Sequence, residues 1–233
     1  MSAIFKREIK SYFTSPIGYV VIAIVAFISS FFFAFVYTSG YADLSEPFFV
    51  VFIATLIVVP ILTMRLFSEE KRQKTDQLLL TAPIGLISIV MGKFLAAFTV
   101  FSVSLSVFVI YQIILSAYAS PDLLLFLGNL LGLLLVAAAL ISVGIFISSL
   151  MESQVVAAIV SIAITVVLIL MNFLGSLLKS AAVDKVVEWI AFQSRYATFT
   201  QGRFSYANFL FFIGVTAIFL FLTSRVLEKK RWA

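Results

Sequence analysis

Apolar residues run along this chain in long unbroken stretches, and the polar positions gather between them. A helix needs ~20 mostly apolar residues to cross the ~30 Å hydrocarbon core of a bilayer. Six stretches approach or exceed that length: 17–39, 47–64, 84–117, 122–149, 154–178 and 206–226. The run from Leu130 to Leu140 shows none of the alternation of apolar and polar residues that a membrane β-strand requires. The pattern predicts an all-α polytopic membrane protein with six transmembrane helices, forming a single transmembrane domain over 1–233. Segment 84–117 exceeds one span, and its first turns, around Lys93, are expected to reach the headgroups.

Two amphipathic stretches lie outside the spans. Phe5, Ile9, Tyr12 and Phe13 fall on one helical face, and Lys6, Arg7 and Lys10 on another. This predicts an interfacial helix over 2–14 with its basic side in the headgroups. In the outer segment 180–204, Val183, Val186, Val187 and Ile190 oppose Asp184, Lys185 and Glu188, with Trp189, Phe192, Tyr196 and Phe199 as interfacial aromatics. A short outer helix follows, either a cover on the bundle or a lid over an exit path. Pro16, Pro47, Pro83 and Pro121 each open an apolar run, where a missing N–H costs nothing. Pro60 lies inside the second span, four residues before Met64, as an ordinary kink or a joint.

Composition narrows the chemistry. The chain is 63% hydrophobic and 12% charged, with a mean hydropathy of +1.17, so the spans leave no room for a soluble catalytic domain. Cysteine and histidine are absent. Their loss removes thiolate metal ligands, the commonest general base and the usual pH switch. No catalytic residue and no metal site are predicted. The spans lack the ionisable groups that proton pumps, ion-coupled carriers and voltage sensors place at mid-membrane. Gly92-Lys93 is the only Gly-Lys pair, but Phe94 follows it and Ile87 stands where a Walker A loop has its first glycine. Any ATP used here must be bound by another polypeptide. The apolar run from Ile17 to Tyr37 is longer than the core of a cleaved signal peptide, so it is expected to remain as a span.

Charge placement sets the expected orientation. One set comprises Lys6, Arg7, Lys10, Arg65, Lys71, Arg72, Lys74, Lys93, Arg225, Lys229, Lys230 and Arg231; the opposite set is Lys179, Lys185, Arg195 and Arg203. The larger set predicts both termini in the cytosol. The net charge of +5 then reflects anionic inner-leaflet lipid rather than a nucleic-acid partner. Small residues mark close helix contacts at Gly128 and Gly132, at Gly92 and Ala96, and at Ala157, Ala158 and Ser161. Each seam serves packing within the chain or a dimer interface.

The densest charge lies between the second and third spans, in Arg65-Leu-Phe-Ser-Glu-Glu-Lys-Arg-Gln-Lys-Thr-Asp76. A short helix carrying both signs can form charge-assisted bonds to a soluble partner, with Leu66, Phe67 and Leu78 as its membrane tether. A solvated loop obeying the positive-inside rule is the alternative, although that rule asks for no acids. The segment Thr63 to Pro83, with Ile89-Val-Met-Gly-Lys-Phe-Leu95, Phe5-Lys-Arg-Glu8 and Tyr12-Phe-Thr-Ser-Pro-Ile-Gly-Tyr19, resembles ABC-2-type permeases. The likeness is to the branch of gliding-motility (GldF-like) and NosY-like permeases, and covers essentially the whole chain. It implies an N-terminal interfacial helix and a cytosolic coupling helix within 66–81, with Ser68, Glu69, Glu70, Lys71 and Arg72 docking on a separate ABC ATPase subunit. It further implies ATP and Mg bound by that partner, a second permease subunit, identical or different, and a bacterial plasma membrane. Export or bilayer extraction of an amphipathic substrate is the expected activity. A membrane anchor of a motility or cell-surface machine and a passive channel remain open alternatives.

Overall fold

The structure, a computed structural model, describes residues 1–40, 43–75, 85–178 and 191–232. Among them every regular element is helical. Helix α1 (Ser2–Thr14) leads through Ser15 into α2 (Pro16–Ser39). Ser15 is extended, as a residue before proline prefers, and Pro16 opens the next helix. Then follow α3 (Ser45–Thr63), α4 (Arg65–Arg72), α5 (Leu86–Ser104), α6 (Val107–Tyr118), α7 (Leu123–Leu150), α8 (Gln154–Leu178), α9 (Phe192–Thr200) and α10 (Tyr206–Trp232). Five stretches are long and apolar enough to cross a bilayer: α2, α3 with α4, α5 with α6, α7 and α10. The shorter apolar stretch Gln154–Leu168 of α8 accompanies them. The protein is an integral membrane protein of the polytopic helical class.

The long third stretch divides into α5 and α6 at Leu105 and Ser106. At Leu105 and Ser106 the ladder tightens to i→i+3 bonds, and the Ser104 and Ser106 hydroxyls donate to the carbonyls of Phe101 and Val103. Such back-bonding bends helices.

Helix α7 is the most buried span, and α2 and α10 are the least. Around α7 pack α3, α4, α8, α9 and α10. Ring stacking fills the core between them, with Phe48 on Phe108 at 4.0 Å and Phe52 on Tyr196 at 4.6 Å between centroids. Where α2 meets α6, the Tyr111 hydroxyl lies 3.0 Å from Ser29 Oγ and 2.6 Å from Ser30 Oγ.

Helix α9 differs from expectation. Its Phe192, Tyr196 and Phe199 are buried in the bundle, not spread along an interface. The Gly128/Gly132 seam receives it: a Cβ at Gly128 would lie 2.5 Å from the Phe199 carbonyl oxygen, and one at Gly132 2.8 Å from Phe199 Cβ. These glycines therefore pack within the chain. Ala157 and Ser161 are also buried, one face with Thr165, which contacts α3. The remaining outer-segment positions named above, from Val183 to Ile190, and Asp76, Leu78, Pro83 and Lys179 lie outside the described residues.

Candidate functional site

Helix α4 is the most polar element of the described bundle and is joined to α3 by a break at Met64. One turn before that break the ladder of α3 is already short of a bond. Pro60 cannot donate to the Leu56 carbonyl, and the Thr165 hydroxyl of α8 supplies that carbonyl with a donor at 3.3 Å. The new helix then needs partners for its first N–H groups. Ser148 of α7 provides them: its Oγ accepts from Phe67 N at 3.1 Å and Ser68 N at 3.2 Å, and donates to the Met64 carbonyl at 3.0 Å. One hydroxyl from another span thus caps α4. Pro60 is braced from α8 rather than left as a loose joint.

The other side of α4 is held by charge. Lys93 of α5 is 1% exposed. Its Nζ reaches Glu8 Oε1 of α1 at 3.1 Å, Glu70 Oε1 of α4 at 2.9 Å and the Leu66 carbonyl at 2.6 Å. The Phe67 ring lies 5.0 Å from the same ammonium. Arg7 Nη2 contacts the same two carboxylate oxygens, at 2.7 Å to Glu8 and 2.6 Å to Glu70. Two cations and two anions thereby lock three helices together at one end of the bundle. A recess of about 330 Å³ opens beside them, bordered by Ser11, Arg65, Glu69 and Gln73.

Further bonds tie α1 to the α3–α4 junction. Arg65 donates to Ser15 Oγ at 2.7 Å and Ser11 Oγ at 2.5 Å, with its guanidinium 5.0 Å from the centre of the Tyr12 ring. The Tyr12 hydroxyl donates to the Leu62 carbonyl at 2.7 Å, and burial pushes its pKa up, keeping the donor proton in place. Lys71 donates to the carbonyls of Ser149 and Met151 at the end of α7, where a cation suits the helix dipole.

Burial alone would raise the Glu8 carboxyl. Lys93 and Arg7 outweigh it and hold the group below the ordinary carboxylate range. Because the folded value is depressed, the stabilisation is complete above the unfolded value of about 4.3 and is lost as pH falls through the folded one. Thermal unfolding of the purified chain should therefore show a deficit for Glu8→Gln at neutral pH. That deficit should shrink on acidification below about pH 4.3, as wild-type Glu8 becomes protonated too.

The residues expected to dock a partner divide into two groups. Ser68 is fully buried and donates to the Met64 carbonyl, Glu70 turns inward to Lys93 and Arg7, and Lys71 reaches the end of α7. Glu69 is half-buried and Arg72 exposed, and with Gln73, Lys74 and Thr75 they form the accessible edge of α4. In α1, Lys6, Arg7 and Lys10 are exposed and Phe5 and Ile9 half-buried. The most buried line of α1 is Ile4, Glu8 and Tyr12, directed at protein, with Ile4 beside Gly92 of α5. Lys93 is not exposed at the surface of the bundle but enclosed by α1 and α4. Sequence reasoning missed Glu8, Lys93 and Ser148 as a set. Glu8 could have been found as an acid at i+4 and i−4 from apolar residues on the inward line of α1, and Lys93 as a lone cation inside an apolar run.

The fold is a polytopic helical bundle whose polar helix α4 is braced on the spans α5 and α7 and on α1. The chain belongs to the ABC-2 transporter family: residues 4–232 match the family described as ABC-2 family transporter protein. It is a transmembrane permease subunit of an ABC transporter, of a family whose membrane subunits are generally non-catalytic. Membership implies an ABC ATPase partner and, usually, dimerisation. No curated protein matches the chain.

Proposed function

We propose that the chain exports, or extracts from the bilayer, an amphipathic or hydrophobic substrate, and that a separate ATPase subunit drives it through α4. The ATPase binds ATP and Mg, and a second permease subunit, identical or different, completes the path. Helices α1 and α4 and both termini face the cytosol of a bacterial plasma membrane, following the charge asymmetry of the sequence. The whole chain, 1–233, acts as one transmembrane domain, in the branch of gliding-motility (GldF-like) and NosY-like permeases. That assignment rests on the segments 5–8, 12–19, 63–83 and 89–95.

The observation that carries this reading is the way α4 is anchored. The Ser148 cap joins it to α7, and the Lys93 network joins it to α1 and α5. A force applied to α4 cannot be absorbed locally, and close-packed helices respond by shifting as bodies between alternative packings. The accessible edge, with Glu69, Arg72, Gln73 and Lys74, presents both charge signs to a soluble partner. The interior residues Ser68, Glu70 and Lys71 pass the movement inward.

Pull-down of the full chain in mild detergent tests the reading. Wild type should retain a subunit bearing a Walker A motif. The pair Glu69→Lys and Arg72→Glu should retain at least about tenfold less, with an unchanged melting temperature, because exposed charges contribute little to folding but much to a complementary interface. Equal retention by the variant would remove α4 as the docking element. ATP hydrolysis by the purified chain alone would remove the separate ATPase.

A further inference from the structure

A groove of about 410 Å³ runs along the outside of the bundle between α5 and α10, with α7 as its floor. Ile87 and Phe94 form one wall, Ile213, Ala217 and Phe221 the other, and Leu135 lies beneath. A second recess of about 360 Å³ continues it past Ile87, Phe221 and Ser224 to Arg225, Glu228 and Arg231. The few polar groups inside are occupied: Thr216 Oγ1 donates to the Phe212 carbonyl and Ser224 Oγ to the Phe221 carbonyl. The interior therefore suits hydrocarbon and nothing polar.

Length and charge identify the occupant. From Ile213 to Ser224 the wall of α10 rises ~17 Å at 1.5 Å per residue. That is close to half the ~30 Å core, the depth of one leaflet. At its end stand Arg225, Lys229, Lys230 and Arg231 against the single acid Glu228. Arg225 pairs with Glu228 at 2.6 Å and lies 4.9 Å from the centre of the Phe221 ring, which holds its guanidinium at the mouth. Among the described residues no ion pair involves Lys229, Lys230 or Arg231. An acyl chain gains no hydrophobic energy by leaving other lipid tails for this groove. Discrimination must come from the headgroup, and guanidinium groups such as those of Arg225 and Arg231, which both line the second recess, bind phosphate oxygens with good geometry.

We infer that this groove is a binding site for one anionic phospholipid, with an acyl chain between α5 and α10 and its phosphate on Arg225 and Arg231. The inference is independent of docking through α4. Native mass spectrometry of the detergent-purified full chain, titrated with phosphatidylglycerol or with phosphatidylcholine of the same acyl composition, tests it. Phosphatidylglycerol should bind about 25-fold more tightly, since each of the two basic groups near an anionic headgroup contributes about fivefold. Arg225→Gln with Arg231→Gln should abolish that preference while the melting temperature holds, because both side chains are on the surface. Ala217→Trp should lower phosphatidylglycerol occupancy by filling the groove. Equal binding of the two lipids, or a preference that survives both glutamines, would overturn the inference. So would crosslinking between two copies of Ala217→Cys in membranes: this chain has no native cysteine, so such a bond would show a second subunit covering the groove.

Discussion

Replacing Lys93 with methionine should cost about 3 kcal/mol of stability, the low end of the penalty for breaking a buried ion pair, because Glu8 and Glu70 keep only the half-exposed Arg7. For a chain of this length that corresponds to a fall of roughly 10 °C in melting temperature. The argument rests on the enclosure of the ammonium: it is 1% exposed and contacts both Glu8 and Glu70. Arg7 offsets only part of the loss, because it reaches the same two oxygens from the exposed side of the cluster, where solvent screens it. The triple change Lys93→Met, Glu8→Gln and Glu70→Gln should recover most of the loss, since neutral groups of similar shape carry no stranded charge. Thermal unfolding of the single and triple variants in one detergent measures both effects. If the single variant melts within about 2 °C of wild type, worth ~1 kcal/mol or less, the network is not what holds α1, α4 and α5 together. The functional consequence is separable. Where the triple variant folds but fails to transmit, the charges serve the coupling of α4 to α5 beyond holding the fold.

The spans were legible because one requirement dominates them: a bilayer demands apolar length, and α2, α3, α7 and α10 fall where those runs lie. Bonds between elements left no such trace. Glu8 and Lys93 are 85 residues apart, and Lys93 and Glu70 are 23 apart, so no local pattern joins them. Phe192, Tyr196 and Phe199 have the spacing of one helical face, which serves a core as well as an interface. The small residues Gly128 and Gly132, read alone, could not say that this face would be their partner. The residues of α4 proposed to dock the ATPase illustrate the same limit. Charge density located α4, but only its neighbours decide that Glu70 and Lys71 turn inward while Arg72 stays in solvent. A helix of eight residues has too few turns for its own periodicity to fix a face when three different surfaces compete for it.

Gly144→Ala should be nearly as damaging as the loss of Lys93, for a steric reason. A Cβ at Gly144 would fall on Thr63 Oγ1 and lie 2.9 Å from Thr63 Cβ, at the last turn of α3. Thr63 is fully buried and its hydroxyl donates to the Val59 carbonyl at 3.0 Å, so it has no free space to enter. Overpacking of this kind costs about 1–3 kcal/mol, and more where backbone must move. Here backbone must move, because α7 and α3 meet directly at the glycine. Ser148 lies one turn further along α7, and its three bonds to the Met64–Ser68 backbone span only 3.0 to 3.2 Å. Pushing α7 away by even ~1 Å breaks all three, since hydrogen bonds fail beyond about 3.5 Å, and α4 loses its cap. The expected signature is therefore local as well as global: hydrogen exchange at Phe67 and Ser68 should rise by an order of magnitude or more, each lost bond contributing roughly 0.5–1.5 kcal/mol. Thr63→Ala added to Gly144→Ala should restore part of the protection and not all of it, because removing Oγ1 and Cγ2 leaves the two Cβ atoms in conflict. Full protection at α4 in the single variant would mean that α7 does not set the position of α4.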